Sequence, residues 1–234
     1  MLPTERLFMS NLRIARCLFA PAAVLALAGG LSGASLLLTS AAASAQTCGT
    51  AVPAGSNCTL TGTLNITAGS LTLTSPASLT WGASLNGTNQ SVVDVTAADQ
   101  QMTVDDATGS GAGWHVTTSA TTFLNGTFAL PNVGSLATTG SVTSISATTA
   151  PTATCVATCT LPTDSTTYPV AITTAATAPT PVTVYDTALA TGVGQVILGG
   201  STNANPVGWW VNVPANVHAG AYTSTITQAV VSAP

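Results

Sequence analysis

Any chemistry this chain performs must come from a short stock of side chains. His115 and His218 are its histidines, and after Glu5 its carboxylate side chains are Asp94, Asp99, Asp105, Asp106, Asp164 and Asp186. Nucleophilic catalysis needs a nucleophile beside a base that a third group orients. His115 follows Trp114 in a strand-like run, so it points to the opposite face from that indole, and Asp105 and Asp106 precede it in a glycine-rich turn. No Gly-x-Ser-x-Gly elbow accompanies them. So little of an active site is assembled that the expectation is a solvent-facing strand histidine, no catalytic residue and no enzyme. His218, in Pro214–Gly220, reads as a surface residue of a polar connection. The Asp105–Asp106 pair lacks the D-x-[DN]-x-[DN]-G spacing of a calcium loop, which leaves turn capping as its role. Neither a metal nor a cofactor is expected.

The cysteines are the other reactive group. Cys48, Cys58, Cys155 and Cys159 lie beyond the N-terminal apolar run, and four cysteines allow three pairings. The two local ones, Cys48–Cys58 and Cys155–Cys159, are favoured because each closes a turn rich in Gly, Pro, Asn or Ala. The short C-x-x-C pairs of a zinc site are missing.

Charge is the strongest constraint. Of 234 residues only 4% are charged, and the basic ones, Arg6, Arg13 and Arg16, all precede residue 17. An almost continuous apolar or small stretch, Cys17–Leu38, follows them, and then Ala43-Ser44-Ala45. Basic region, apolar core and A-x-A-like site together make a secretory signal peptide over residues 1–45. The rival reading is an uncleaved anchor, since the apolar run is long enough to span a bilayer. Gly29, Gly30 and Gly33 interrupt it and a cleavage site follows, so cleavage after Ala45 is preferred. An oxidising destination favours disulfides. The mature chain then holds no Lys, Arg or Glu, which argues against nucleic-acid binding and against docking on anionic lipid. It cannot form a Lys or Arg salt bridge, so stability must come from apolar burial, backbone hydrogen bonds and disulfides.

The elements that position these residues read as short strands. Apolar and Thr/Ser residues alternate at Leu60–Ile66, Ser70–Thr74, Ser91–Val95, Gln101–Val104, Trp114–Ser119, Ser141–Ser146, Tyr168–Thr173, Pro181–Asp186, Val193–Leu198, Trp209–Val213 and Tyr222–Val231. β-Branched residues suit a pleated sheet, turn signals such as Asn86-Gly87 and Asn125-Gly126 separate the runs, and no window sustains a helical period. The expected fold is all-β, an antiparallel β-sandwich of Greek-key or Ig-like type preceded by the signal peptide. The expected domains are an N-terminal disulfide-bearing β segment at 46–68 and a sandwich domain at 69–234. Thr148–Leu161, rich in Ala, Thr and Pro, reads as a long loop stapled by Cys155 and Cys159.

Four tryptophans, Trp81, Trp114, Trp209 and Trp210, carry most of the large aromatic surface. They read as core anchors, each burying about 200 Å². Trp209 and Trp210 are consecutive, so they face opposite sides of a sheet; one is expected inside and the other exposed, where it can stack on a sugar ring.

From Gly69 to Pro234 the chain resembles the WxL family of cell-wall-binding surface proteins. Gly109-Ser-Gly-Ala-Gly-Trp114-His-Val116 is similar to the first family signature, with Val in place of Leu. Val213-Pro214, Ala219-Gly220-Ala221-Tyr222-Thr-Ser-Thr-Ile226 and the ending Ser232-Ala233-Pro234 resemble the stretch around the second signature. There Gln228-Ala229-Val230 stands in place of Trp-x-Leu. The resemblance implies an exported all-β module that attaches non-covalently to the peptidoglycan of Gram-positive bacteria, often together with other surface proteins. It assigns signature positions to Trp114, Val116 and, weakly, Val230. The expected function is therefore attachment to cell-wall glycan, with no membrane contact after cleavage. The alternative is a non-enzymatic structural subunit of a surface layer, coat or filament, since the β chain lacks the lysines that often protect sheet edges.

Overall fold

A computed structural model describes residues 46–49, 51, 54, 57–177, 179–200 and 203–233; the expected signal peptide lies outside them. In chain order the strands are β1 (Gln46–Thr47), β2 (Cys58–Thr59), β3 (Leu71–Thr74), β4 (Gln90–Val93), β5 (Gln101–Asp106), β6 (Trp114–Thr121), β7 (Leu124–Asn125) and β8 (Phe128–Ala129). Then come β9 (Leu136–Thr138), β10 (Ala153–Cys155), β11 (Val170–Ile172), β12 (Thr174–Ala175), β13 (Val182–Asp186), β14 (Gly194–Gly199), β15 (Trp209–Val213) and β16 (Ile226–Ser232). Helical backbone among the described residues is confined to a 3-10 turn at Ala97–Gln100. The fold is all-β, with antiparallel sheets in a sandwich-like arrangement.

The chain forms two compact units that divide between Thr63 and Leu64. In the first, β1 and β2 pair in parallel and a disulfide joins Cys48 to Cys58 with Cα atoms 5.1 Å apart.

In the second unit the sheet orders are β10-β14-β5-β3 and β11-β9-β15-β4, with a third sheet centred on β6. One edge of β6 carries β13 antiparallel and β12 parallel; the other carries β16. The composition explains β6. Its eight residues are β-branched, aromatic or small, and alternation sends Trp114, Val116, Thr118 and Ala120 inward while His115 and Thr117 are half-buried on the other face. The core adds Met102 and Val104 from β5, Leu136 from β9, Ile172 from β11, Val184 and Tyr185 from β13, Val196 and Leu198 from β14, and Trp209 and Val211 from β15.

Three segments differ from their sequence reading. Leu60–Ile66 has the composition of a strand but pairs with no other strand among the described residues, and Leu60, Leu64 and Ile66 are 84%, 82% and 83% exposed. Ser141–Ser146 is a chain of hydroxyl-capped turns, in which Ser141 Oγ accepts from the Thr143 and Ser144 N–H groups; local side-chain bonds there outcompete the ladder. Thr148–Leu161 is not wholly loop, because Ala153–Cys155 pairs with β14 and the disulfide Cys155–Cys159 closes the turn behind it.

The aspartates do structural work in a chain without cations. Asp164 Oδ1 accepts the Thr166 and Asp186 N–H groups, both at 3.0 Å. The Tyr168 hydroxyl lies 2.8 Å from both Asp164 Oδ2 and the Val184 carbonyl oxygen, its single proton shared between these two acceptors. Burial, and then the Asp164 charge, push the pKa values of Tyr168 and Tyr185 well above the usual phenol value of 10.0. With folded values above unfolded ones, the associated stability is complete below that value and is lost as pH rises past it. In an alkaline spectrophotometric titration these two phenols are expected to ionise only together with the cooperative loss of fold. Their ionisation in a still-folded protein would contradict the burial described.

Candidate functional site

The residues singled out in the sequence fall into two groups. Trp114, Val116 and Val230 come together, the first two inside the molecule and Val230 half-buried against the core. Trp114 and Val116 are fully buried and Val230 lies opposite Val116 on β16, so the two signature-like stretches are cross-strand neighbours. The indole of Trp114 stacks on Tyr185 with ring centroids 5.8 Å apart and donates Nε1–H to the Gly192 carbonyl at 2.9 Å. Its backbone is bracketed by Thr187, whose Oγ1 accepts from Trp114 N at 2.7 Å and donates to Trp114 O at 2.8 Å. The glycine turn delivers it. Gly109, Gly111 and Gly113 take φ of 65°, 65° and 81°, a region other residues enter at a cost. At Gly113 a Cβ would also lie 2.9 Å from the Thr187 carbonyl oxygen. Asp106 caps this turn by accepting from Thr108 N at 3.0 Å. Asp105 and Asp106 themselves lie in β5.

The expectation of one exposed tryptophan in the 209–210 pair is corrected. The two do face opposite sides of β15, yet Trp209 is fully buried and Trp210 is 6% exposed. The turns after Gly140 close over the outer face, and Trp210 Nε1 donates to the Ser141 carbonyl at 2.9 Å. Neither indole is free to meet a ligand. His115 is half-buried across the ladder from Asp186; that carboxylate accepts from the Ser165 hydroxyl at 2.6 Å. Among the described residues no group of three or more His, Cys, Asp or Glu is placed to hold a metal.

The feature that sequence reading missed is an open cleft of about 980 Å³. One wall is the irregular segment from Ser75 to Leu85, and the others come from Val92, Val211 and Val213 on β4 and β15, and from Ile226 and Gln228 on β16. Trp81 stands in it edge-on to Phe123, with ring centroids 5.8 Å apart. No Asp lines it, and its titratable side chains are His218 and Tyr222. The Ser75 hydroxyl, on its wall, is buried without a partner.

Buried Asp94 holds the wall in place. Its two oxygens accept from Thr80 N at 2.7 Å and Thr96 N at 2.8 Å. The Trp209 carbonyl takes hydrogen bonds from Asp94 N at 2.9 Å and from Trp81 Nε1 at 3.0 Å. Segment 75–81 is thus fastened to the end of β4 by the Asp94 carboxylate and to β15 by the Trp81 indole.

At the mouth of the cleft the β7–β8 hairpin turns at Gly126, φ 58°, where a two-residue turn calls for glycine. It carries Phe128, 44% exposed and stacked on exposed His218 with centroids 3.7 Å apart. Backbone bonds between Leu124 and Thr223 and a Tyr222 hydroxyl bond to the His218 carbonyl at 3.1 Å fix this rim. The result is an aromatic plate, without carboxylate, Lys or Arg, beside the cleft. The Asn125-Gly126 turn was visible in the sequence, but nothing local told that it would lift Phe128 against a loop 90 residues away.

No protein-family model, curated protein or solved structure matches this chain.

Asp94 gives the direct test of how the cleft is built. Asp94→Asn keeps the size but puts a donor where an oxygen now accepts an N–H, leaving a buried group unmatched. The expected loss is about 1–3 kcal/mol in urea unfolding, with a shift in Trp81 emission. An unchanged midpoint would show that the carboxylate does not fasten the wall.

Proposed function

We propose that this chain is an exported, non-catalytic surface module that attaches non-covalently to cell-wall glycan. The observation that carries the reading is the aromatic rim formed by Phe128, His218 and Tyr222 at the mouth of a cleft whose lining has no Asp, Glu, Lys or Arg. Sugar rings present C–H faces that pack on aromatic planes, and hydroxyls that neutral donors and acceptors satisfy. An aromatic rim on a chain without Lys or Arg beyond residue 16 suits such a polymer and is poor for phosphate. The WxL-like stretches and the leader-like N-terminus support the same reading. In it Trp114 and Val116, fully buried, and Val230, half-buried against the core, serve by building the fold, and contact with the wall falls to the rim.

A second reading, a structural subunit of a coat or filament, is favoured by the unpartnered apolar segment Leu60–Ile66.

Purified protein is expected to co-sediment with Gram-positive wall sacculi and to stay bound at high salt, because no cations contribute to be screened. Phe128→Ala is expected to lower affinity roughly fivefold to tenfold, the worth of one aromatic contact. Absence of sedimentation at any salt rejects the proposal, and undiminished binding by Phe128→Ala removes the rim from it.

A further inference from the structure

Leu60, Leu64 and Ile66 occupy even positions, so an extended backbone places all three on one side. Each is more than four-fifths exposed in a segment without strand partners. Single exposed apolar residues are ordinary, but three on one edge of an unpaired seven-residue segment form a strip that calls for a cover. The body carries a matching vacancy. Its cleft opens beside the Ile226–Gln228 end of β16, which among the described strands pairs with β6 alone, and is floored by Val92, Val211 and Val213. The Ser75 hydroxyl, buried there without a hydrogen bond, is a group that an incoming backbone can satisfy.

We infer that the Leu60–Ile66 arm of one copy enters the cleft of a second copy as an added strand beside β16. The inference goes beyond wall attachment and does not rest on it. Strand addition supplies main-chain hydrogen bonds, and pockets for alternate side chains supply register. A seven-residue strand is about 23 Å long. Buried along half its girth, it removes about 600 Å² on each side, together about 1,200 Å², the lower bound of specific interfaces. Neither arm nor cleft holds an Asp, Glu, Lys or Arg, so docking buries no unpaired charge. Arm and cleft are different surfaces of the same chain, which makes the contact heterologous, and repetition gives a ring or an open filament.

The test is the sedimentation behaviour of the secreted protein, both disulfides intact, over a wide concentration range. It is run beside the double variant Leu64→Asp/Ile66→Asp and the cleft variant Leu85→Glu. All three positions are exposed enough to change without unfolding the core, Leu85 being 45% exposed. The expected result is a mass that at least doubles with concentration, as a head-to-tail contact requires (about twofold for the first step). Both variants should stay monomeric, and a peptide of residues 59–69 should inhibit growth of the wild type. Phe128→Ala is expected to assemble normally while losing wall affinity, so the two proposals fail separately. A monomer at every concentration overturns the inference, as does assembly that survives either variant. A monomer whose arm is protected from hydrogen exchange also overturns it, because the arm then lies in its own cleft.

Discussion

Beyond Arg16 this chain has no cation, and the rest of the structure follows from that lack. A buried carboxylate normally leans on Lys or Arg; here it must find N–H and O–H donors. Asp94, Asp106 and Asp164 each accept from backbone N–H groups within a few residues, and Asp94 and Asp164 also reach a second segment. Asp186 takes a serine hydroxyl. Side chains that would be surface charge in another protein become the knots that tie turns to strands.

Small residues are the second consequence. Valine, alanine and threonine fill the sheets, and large rings fix the spacing between them. Trp114 shows what that demands of its neighbours. A Cβ at Gly192 would sit 2.7 Å from the indole nitrogen, so only glycine permits the carbonyl of that residue to accept its N–H. Trp209 sits in the core while Trp210, its neighbour on the other face, is covered by turns. The indoles are therefore pins, and the proposed recognition falls to a plainer pair, Phe128, which a two-residue hairpin lifts into solvent, and His218, on which it stacks. The same economy leaves the cleft without an Asp, Glu, Lys or Arg in its lining.

Much of the fold was legible because period-two alternation and turn residues are local signals. β5, β6, β13, β14 and β15 lie where the alternation put them, and the four cysteines pair locally. What failed was decided at long range. Leu60–Ile66 alternates as well as β3 does, yet no strand edge among the described residues takes it up. Ser141–Ser146 alternates too, but its hydroxyls bond their own backbone. Trp210 was assigned to the surface because strand geometry says which way a residue faces and not what folds over that face. The short strands β9 and β12 carry no pattern long enough to read. The cleft escaped notice for a related reason: its walls come from stretches more than a hundred residues apart, joined by a carboxylate whose partners are backbone atoms.

The account depends on tryptophans that organise a cation-free sandwich from within. Acrylamide quenching of tryptophan emission tests this most directly. Trp81, half-buried in the cleft wall, is expected to account for nearly all the quenching, and Trp81→Phe to leave a protein whose emission is blue-shifted and almost inert to the quencher. Strong residual quenching in Trp81→Phe, from indoles at 114, 209 or 210 open to solvent, would contradict the arrangement of the core and the assignment of the rim that rests on it.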